Sequence, residues 1–132
     1  AVRQAEPDRL VEHALDLSQP LYEQVLEQVR SSIAKGEIAL GEKIPSVREM
    51  AQALKINPNT VMRAYQELER DQLTETRRGQ GTFITTDADK VSHIRHRLAE
   101  EAVEEFLARM SSLGFTAEDI ANILRAKGGE GR

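Results

Sequence analysis

Apolar side chains return at helical spacing once Ser18-Gln19-Pro20 has passed. Leu21, Val25, Leu26, Val29 and Ile33 share one face, and Pro20 suits a first turn, where its missing N–H has no partner to lose. Gly36 fits the stop, so a helix is expected over about 20–35. Residues 36–45 read as a loop with apolar pegs at Ile38, Leu40 and Ile44. Ser46 and Glu49 have the spacing of a capping box, and Val47, Met50, Ala51 and Leu54 line one face of a short second helix. Asn57-Pro58 restarts the helical pattern as N-cap and first residue, and Val61, Ala64, Tyr65 and Leu68 are the buried stripe of a third helix over about 58–70.

The period then changes. Threonine-rich segments flank Arg78-Gly79-Gln80-Gly81, which predicts a β-hairpin with strands near 73–77 and 81–85. From Asp87 the helical period returns for about 25 residues, through Val91, Ile94, Leu98, Ala102, Val103, Phe106, Met110 and Leu113. Gly114 suits a helix C-terminus, Thr116 an N-cap with Phe115 and Ile120 as its apolar staple, and Ile120, Ile123 and Leu124 are expected to face inward on a last helix. Residues 1–17 form a polar extension that could open a short helix at Asp8, and 128–132 (GGEGR) are expected to be disordered. The fold class that follows is mainly α with a small β-hairpin wing. A winged helix-turn-helix domain over 18–86 precedes a short two-helix dimerisation tail over 87–127.

The second and third helices have the pattern of a helix-turn-helix. With Ala51 at the closest crossing, where a larger side chain would push the helices apart, Met50, Leu54, Ile56, Val61 and Ala64 take the inward positions. The turn favours glycine for its positive φ, and this chain has Lys55, a departure that costs roughly 1 kcal/mol if the φ is kept. Val61 inward turns Asn59, Arg63, Gln66 and Arg70 outward, with Thr60 at the edge. Arginine reads guanine through two hydrogen bonds, and asparagine reads adenine. The hairpin tip offers Arg77, Arg78, Gly79, Gln80 and Gly81, and two arginines on a slim tip suit a narrow minor groove or phosphates.

Charge at first argues otherwise, since 18 Lys and Arg against 22 Asp and Glu leave a net charge of −4. The distribution changes the picture: residues 40–86 hold 7 basic against 6 acidic side chains, while 1–39 hold 4 against 7 and 87–132 hold 7 against 9. The absence of cysteine excludes disulfides, Cys-ligated zinc and thiol catalysis, and fits a cytoplasmic protein. No run of about 18 apolar residues exists to cross a membrane. His93 and His96 are an i, i+3 pair with only Asp89 and Glu100 as candidate co-ligands, a chance arrangement rather than a metal site. Glu100, Glu101, Glu104 and Glu105 read as a solvated face, and no nucleophile–base pair or phosphate-binding glycine fingerprint appears. Neither a cofactor, a metal nor an enzymatic activity is therefore expected.

The stretch from Pro20 to Ile84 resembles the DNA-binding domain of the GntR family of bacterial transcription regulators, and the likeness covers about residues 18–85 without gaps. Its most specific stretches are Gly41-Glu42-Lys43-Ile44-Pro45-Ser46-Val47-Arg48-Glu49 and Asn57-Pro58-Asn59-Thr60-Val61, the latter similar to the YtrA-like subfamily. The resemblance implies phosphate contact by Arg48. It also implies base or phosphate contact from Asn57, Asn59, Thr60 and Arg63, and minor-groove insertion of the wing at Gly79. Lys43 and Ser46 join that expected contact set. Many members carry two successive basic residues after Thr-Val, whereas here the pair is Met62-Arg63.

About 46 residues follow the wing, too few to enclose a drug-sized pocket alone. A two-helix tail of this kind resembles the YtrA-like tail, which pairs two subunits, with Val91, Ile94, Leu98, Ala102, Val103, Phe106, Met110 and Leu113 as the expected seam. The chain is thus expected to be a homodimeric repressor that binds double-stranded operator DNA with palindromic half-sites; whether it also answers to a small-molecule effector, and to which, the sequence leaves open. The rival expectation is a winged-helix module for protein contacts without DNA binding, and a second is a histidine-metal enzyme.

Overall fold

The computed structural model describes residues 4–130 and holds α1 (Pro7–Leu10), α2 (Leu21–Ala34), β1 (Lys43–Ile44), α3 (Val47–Leu54) and α4 (Pro58–Arg70). The hairpin β2 (Thr74–Arg77) and β3 (Gly81–Ile84) follows, then α5 (Ala88–Ser112) and α6 (Ala117–Glu130). The chain divides into two compact units, one running to Arg95 and one from His96 onward.

In the first unit, the predicted helices stand within a residue or two of their expected bounds because their signals are local. Ser46 Oγ accepts from the Glu49 N–H at 3.1 Å while Glu49 Oε1 accepts from the Ser46 N–H at 3.0 Å, closing the capping box. That backbone donor holds the Glu49 carboxyl below the usual carboxylate range. Asn57 Oδ1 accepts from the Asn59 N–H at 2.8 Å and starts α4. Between the two helices Lys55 keeps the left-handed conformation at φ 58, so the strain anticipated for a non-glycine turn is present.

The apolar stripes of α2, α3 and α4 meet, with Val25, Val29, Met50, Val61, Ala64 and Leu68 fully buried and Ala51 3% exposed. Leu54 and Ile56 are only half-buried, at the rim of this core. The Tyr65 hydroxyl donates to the Pro45 carbonyl at 2.7 Å, tying α4 to the residue before α3, and burial pushes its pKa up. Arg30 on α2 clamps Asp71 just past α4 through Nε at 2.8 Å and Nη2 at 2.6 Å.

Two expectations for this unit need correction. The loop 36–45 contains a strand: β1 pairs antiparallel with β3, Lys43 opposite Phe83, giving a three-stranded sheet in the order β1-β3-β2. Two residues are too few to show a period. The N-terminal extension is also no loose appendage. Ala5 and Leu10 are fully buried and Val11 nearly so, the Ala5 N–H donates to the Lys43 carbonyl at 2.8 Å, and α1 packs on α2 and α3. Arg9 reaches Glu42, whose side chain is 1% exposed, at 3.0 Å. Three of the extension's apolar residues, Ala5, Leu10 and Val11, enter the core, which a count of apolar residues could not reveal.

In the second unit, α5 ends on Gly114 at φ 87, with the Phe115 N–H donating to the Met110 carbonyl at 3.1 Å and the Gly114 N–H to that of Ser111 at 3.0 Å. Thr116 and Asp119 form the reciprocal cap of α6, at 2.9 and 3.1 Å. Ile120 is buried as expected, but Ile123 and Leu124 are 40% and 56% exposed rather than inward, because a helical period marks an apolar face without fixing whether the chain itself covers it. The last helix continues through Gly128 and Gly129 to Glu130, where disorder was expected from 128; residues 131 and 132 lie outside the described residues. Among the described residues no helix is long and apolar enough to cross a membrane, and no group of three or more His, Asp or Glu is placed to hold a metal ion.

Candidate nucleic-acid interface

Burial of Val61, Ala64, Tyr65 and Leu68 fixes the rotation of α4, and Asn59, Met62, Arg63, Gln66 and Arg70 are consequently exposed, with Thr60 half-buried at the edge. Asn57 spends Oδ1 on its cap, which leaves the two amide donors of its side chain. The Arg63 guanidinium lies over the Tyr22 ring of α2, 3.8 Å from the centroid. Further along the helix, Arg70 is engaged by Glu67 at 3.1 Å, so its charge is already partly answered. Met62 is 44% exposed, an apolar side chain on a face that is otherwise hydrogen-bonding.

Ser46 and Arg48 occupy the start of α3, where both side chains are exposed. Backbone N–H groups at a helix start carry partial positive charge, and an arginine beside them makes a good phosphate site. Glu49 is anionic at neutral pH in the same turn, but it is turned back onto the Ser46 N–H.

The wing turns at its tip with the Gln80 N–H donating to the Arg77 carbonyl at 2.9 Å, and Gly79 sits at φ 78. That conformation strains any side chain with a Cβ. Gly81 is likewise at positive φ, 123, and a Cβ there would stand 2.7 Å from Cε of Lys43, whose flexible side chain crosses from β1 over β3. The structure thus joins Lys43 to the wing, a grouping that sequence separation conceals. Arg77 stacks on Phe83 at 4.2 Å and approaches Glu75 at 3.6 Å, while Arg78 and Gln80 stand exposed. The two wing arginines are therefore not equivalent.

The expected tail seam divides. Ile94 is 2% exposed and Val91 half-buried in the first unit, so neither forms part of a free face. In the second unit Leu98 and Met110 are half-buried and Ala102 is exposed. Val103, Phe106 and Leu113 are 55%, 42% and 63% exposed, joined by Leu107 at 44%. Tyr22, Leu107 and the partners of Arg77 were not singled out from sequence. Leu107 follows Phe106 in a stripe that already carried the signal, whereas nothing local marks Tyr22. A groove of about 700 Å³ opens on the N-terminal side, between residues 6–17 and the end of α3, floored by Val11, Leu15 and Leu54.

The model of the family described as "Bacterial regulatory proteins, gntR family" matches residues 21–84. The HTH-type transcriptional regulator YhcF of Bacillus subtilis is 45% identical over 103 residues, spanning 78% of this chain and 85% of that protein. The HTH-type transcriptional repressor YtrA of Bacillus subtilis is 40% identical over 97 residues, 69% of this chain and 75% of that protein. Among solved structures, a GntR family transcriptional regulator from Listeria monocytogenes superposes with a TM-score of 0.78 at 35% identity, covering 85% of this chain and 98% of that one. The YtrA structure from Sulfolobus acidocaldarius gives 0.51 at 26% identity, over 88% and 96%. These relatives are transcription factors rather than enzymes, and the regulators match along most of their length, tail included. With a helix-turn-helix, a glycine-tipped wing and relatives of this kind, the chain belongs to the GntR family of bacterial transcription regulators, in its YtrA-like form.

Proposed function

We propose that the protein is a dimeric repressor acting on the bacterial chromosome in the cytoplasm. Two copies of α4 would read the half-sites of a palindromic operator, and the wings would reach the flanking minor groove. The observation that carries this reading is the outward face of α4, where Asn59, Arg63 and Gln66 are exposed on a helix whose opposite face is sealed into the core. The relative named a repressor supports the direction of regulation. The exposed Val103, Phe106, Leu107, Ile123 and Leu124 support pairing, because a face of this kind left open is an aggregation hazard and a two-fold partner would cover it. Pairing also answers a problem of specificity, since one winged helix touches too few base pairs to find a single site in a genome. Two-fold symmetry places the half-sites about one helical turn apart, roughly 34 Å.

Mobility-shift titrations against duplexes selected from a random-sequence library test the assignment. Arg63→Ala is expected to weaken the selected sequence by roughly 1–3 kcal/mol per half-site and to relax preference at one base-pair position. Arg48→Ala is expected to weaken all sequences alike and to flatten the salt dependence by about one ion for each phosphate that is no longer neutralised. An Arg63→Ala protein that binds and discriminates like the parent would remove α4 from the groove.

A further inference from the structure

The structure assigns Tyr22 a role in reading DNA: its ring is the platform that holds Arg63 of the recognition helix in one orientation and so sharpens discrimination at the base pair Arg63 reads. This inference rests on the proposed placement of α4 in the major groove and concerns a residue of a different helix.

The arginine side chain has four torsions, and an exposed one must be ordered before it can form two parallel hydrogen bonds with a base. Here the guanidinium carbon sits 3.8 Å from the Tyr22 ring centroid, within the range of a face-on cation–π stack. Such a stack occupies the flat face of the guanidinium. The five N–H donors lie in its plane and point past the ring, so the platform does not compete with a guanine edge. The platform itself is firm. Tyr22 is the second residue of α2, and α2 is rooted in the core by Val25, Leu26, Val29 and Ile33. The end of α2 is clamped to the residue after α4 by Arg30 and Asp71.

Two other cations of the candidate surface meet carboxylates. Arg70 leans on Glu67, and Arg77, although it too stacks on a ring at Phe83, approaches Glu75; each carboxylate reduces what its arginine offers to an anion. Arg63 is held by a neutral ring instead, which fixes direction while leaving the full charge available. Without the ring, the guanidinium is free to swing between the base edge and neighbouring phosphates, and a phosphate carries no sequence information.

The test uses the full chain and the duplex selected from the random library, together with its three single-base-pair variants at the position identified by Arg63→Ala. A stack of this kind at an exposed site is worth about two- to five-fold in a binding constant. Tyr22→Leu is expected to lower discrimination at that position by this factor per half-site and to leave the other positions and the salt slope unchanged. Tyr22→Phe, which keeps the ring face, is expected to retain the parent's discrimination. Combined with Arg63→Ala, Tyr22→Leu is expected to add no further loss. Tyr22→Met serves in the same comparison if the leucine variant folds poorly, since it fills the space without a ring. In the free protein, the Arg63 δ-protons are expected to show an upfield ring-current shift that Tyr22→Phe keeps and Tyr22→Leu abolishes.

Unchanged discrimination in Tyr22→Leu, with Arg63→Ala still relaxing the site, overturns the platform and spares the operator reading. Equal losses in Tyr22→Phe and Tyr22→Leu, spread over all sequences with a shallower salt slope, would make Tyr22 a phosphate contact through its hydroxyl and also overturn it. If Arg63→Ala changes nothing, both the reading of α4 and this inference fall.

Discussion

Leu10→Ala probes whether the N-terminal segment braces the DNA-binding unit. Leu10 is fully buried, and α1 touches both α2 and α3, the helix that carries Arg48. The substitution removes three carbon groups at about 0.8 kcal/mol each, close to 2.4 kcal/mol in transfer alone. The space left behind adds to this, and a total of about 3–4 kcal/mol is expected, within the range measured for buried Leu→Ala changes. The backbone carbonyl of Leu10 still accepts from Ser32 Oγ at 3.1 Å, so no polar group is orphaned and the cost is one of packing. For a domain stabilised by roughly 5–15 kcal/mol this is a large fraction. With a urea m-value of about 1.5 kcal/mol/M, the midpoint should fall by roughly 2 M. The assay is urea unfolding followed by far-ultraviolet circular dichroism, with Leu17→Ala as control. Leu17 is 79% exposed and its removal should shift stability by less than about 0.5 kcal/mol. If Leu10→Ala and Leu17→Ala unfold at the same urea concentration, the segment is not part of the folding unit.

Gly79→Val forces a β-branched residue into φ 78 with nothing within 4 Å to clash, so strain rather than crowding should distort the tip; operator affinity should drop in a protein that still folds, and full affinity would mean the wing does not approach DNA. Phe106→Asp puts a carboxylate into the exposed tail face, twice in a symmetric pair, and sedimentation should show monomers with little operator affinity; an intact dimer would exclude this face as the central seam. Glu49→Gln tests the α3 cap. The carboxyl's lowered pKa contributes stability that is present above its unfolded pKa and lost as the pH falls through the folded one, so the acid limb of a stability–pH curve should be shallower in the variant; parallel curves would contradict this.

Much of the fold was legible in the sequence because its signals act over short distances. A capping box spans three residues, an N-cap with its proline two, and an apolar stripe repeats every turn, so α2, α3, α4, the hairpin and the bounds of α5 were readable without knowing what they pack against. The outward face of α4 followed from the burial of Val61, and the positive φ of Gly79 from its place in a tight turn. Tertiary structure decided everything set by residues far apart in the chain. The two residues of β1 become a strand only because β3 lies beside them, and Leu10 becomes core only because α2 and α3 present a gap. Gly81 is read correctly only once Lys43 is seen crossing it, and Arg63 only once Tyr22, 41 positions earlier, is found beneath it. The same distinction explains Ile123 and Leu124. Their period marks them as apolar-facing, but whether an apolar face turns into its own chain or toward a second copy depends on how much surface the rest of the unit supplies, and periodicity carries no information about that.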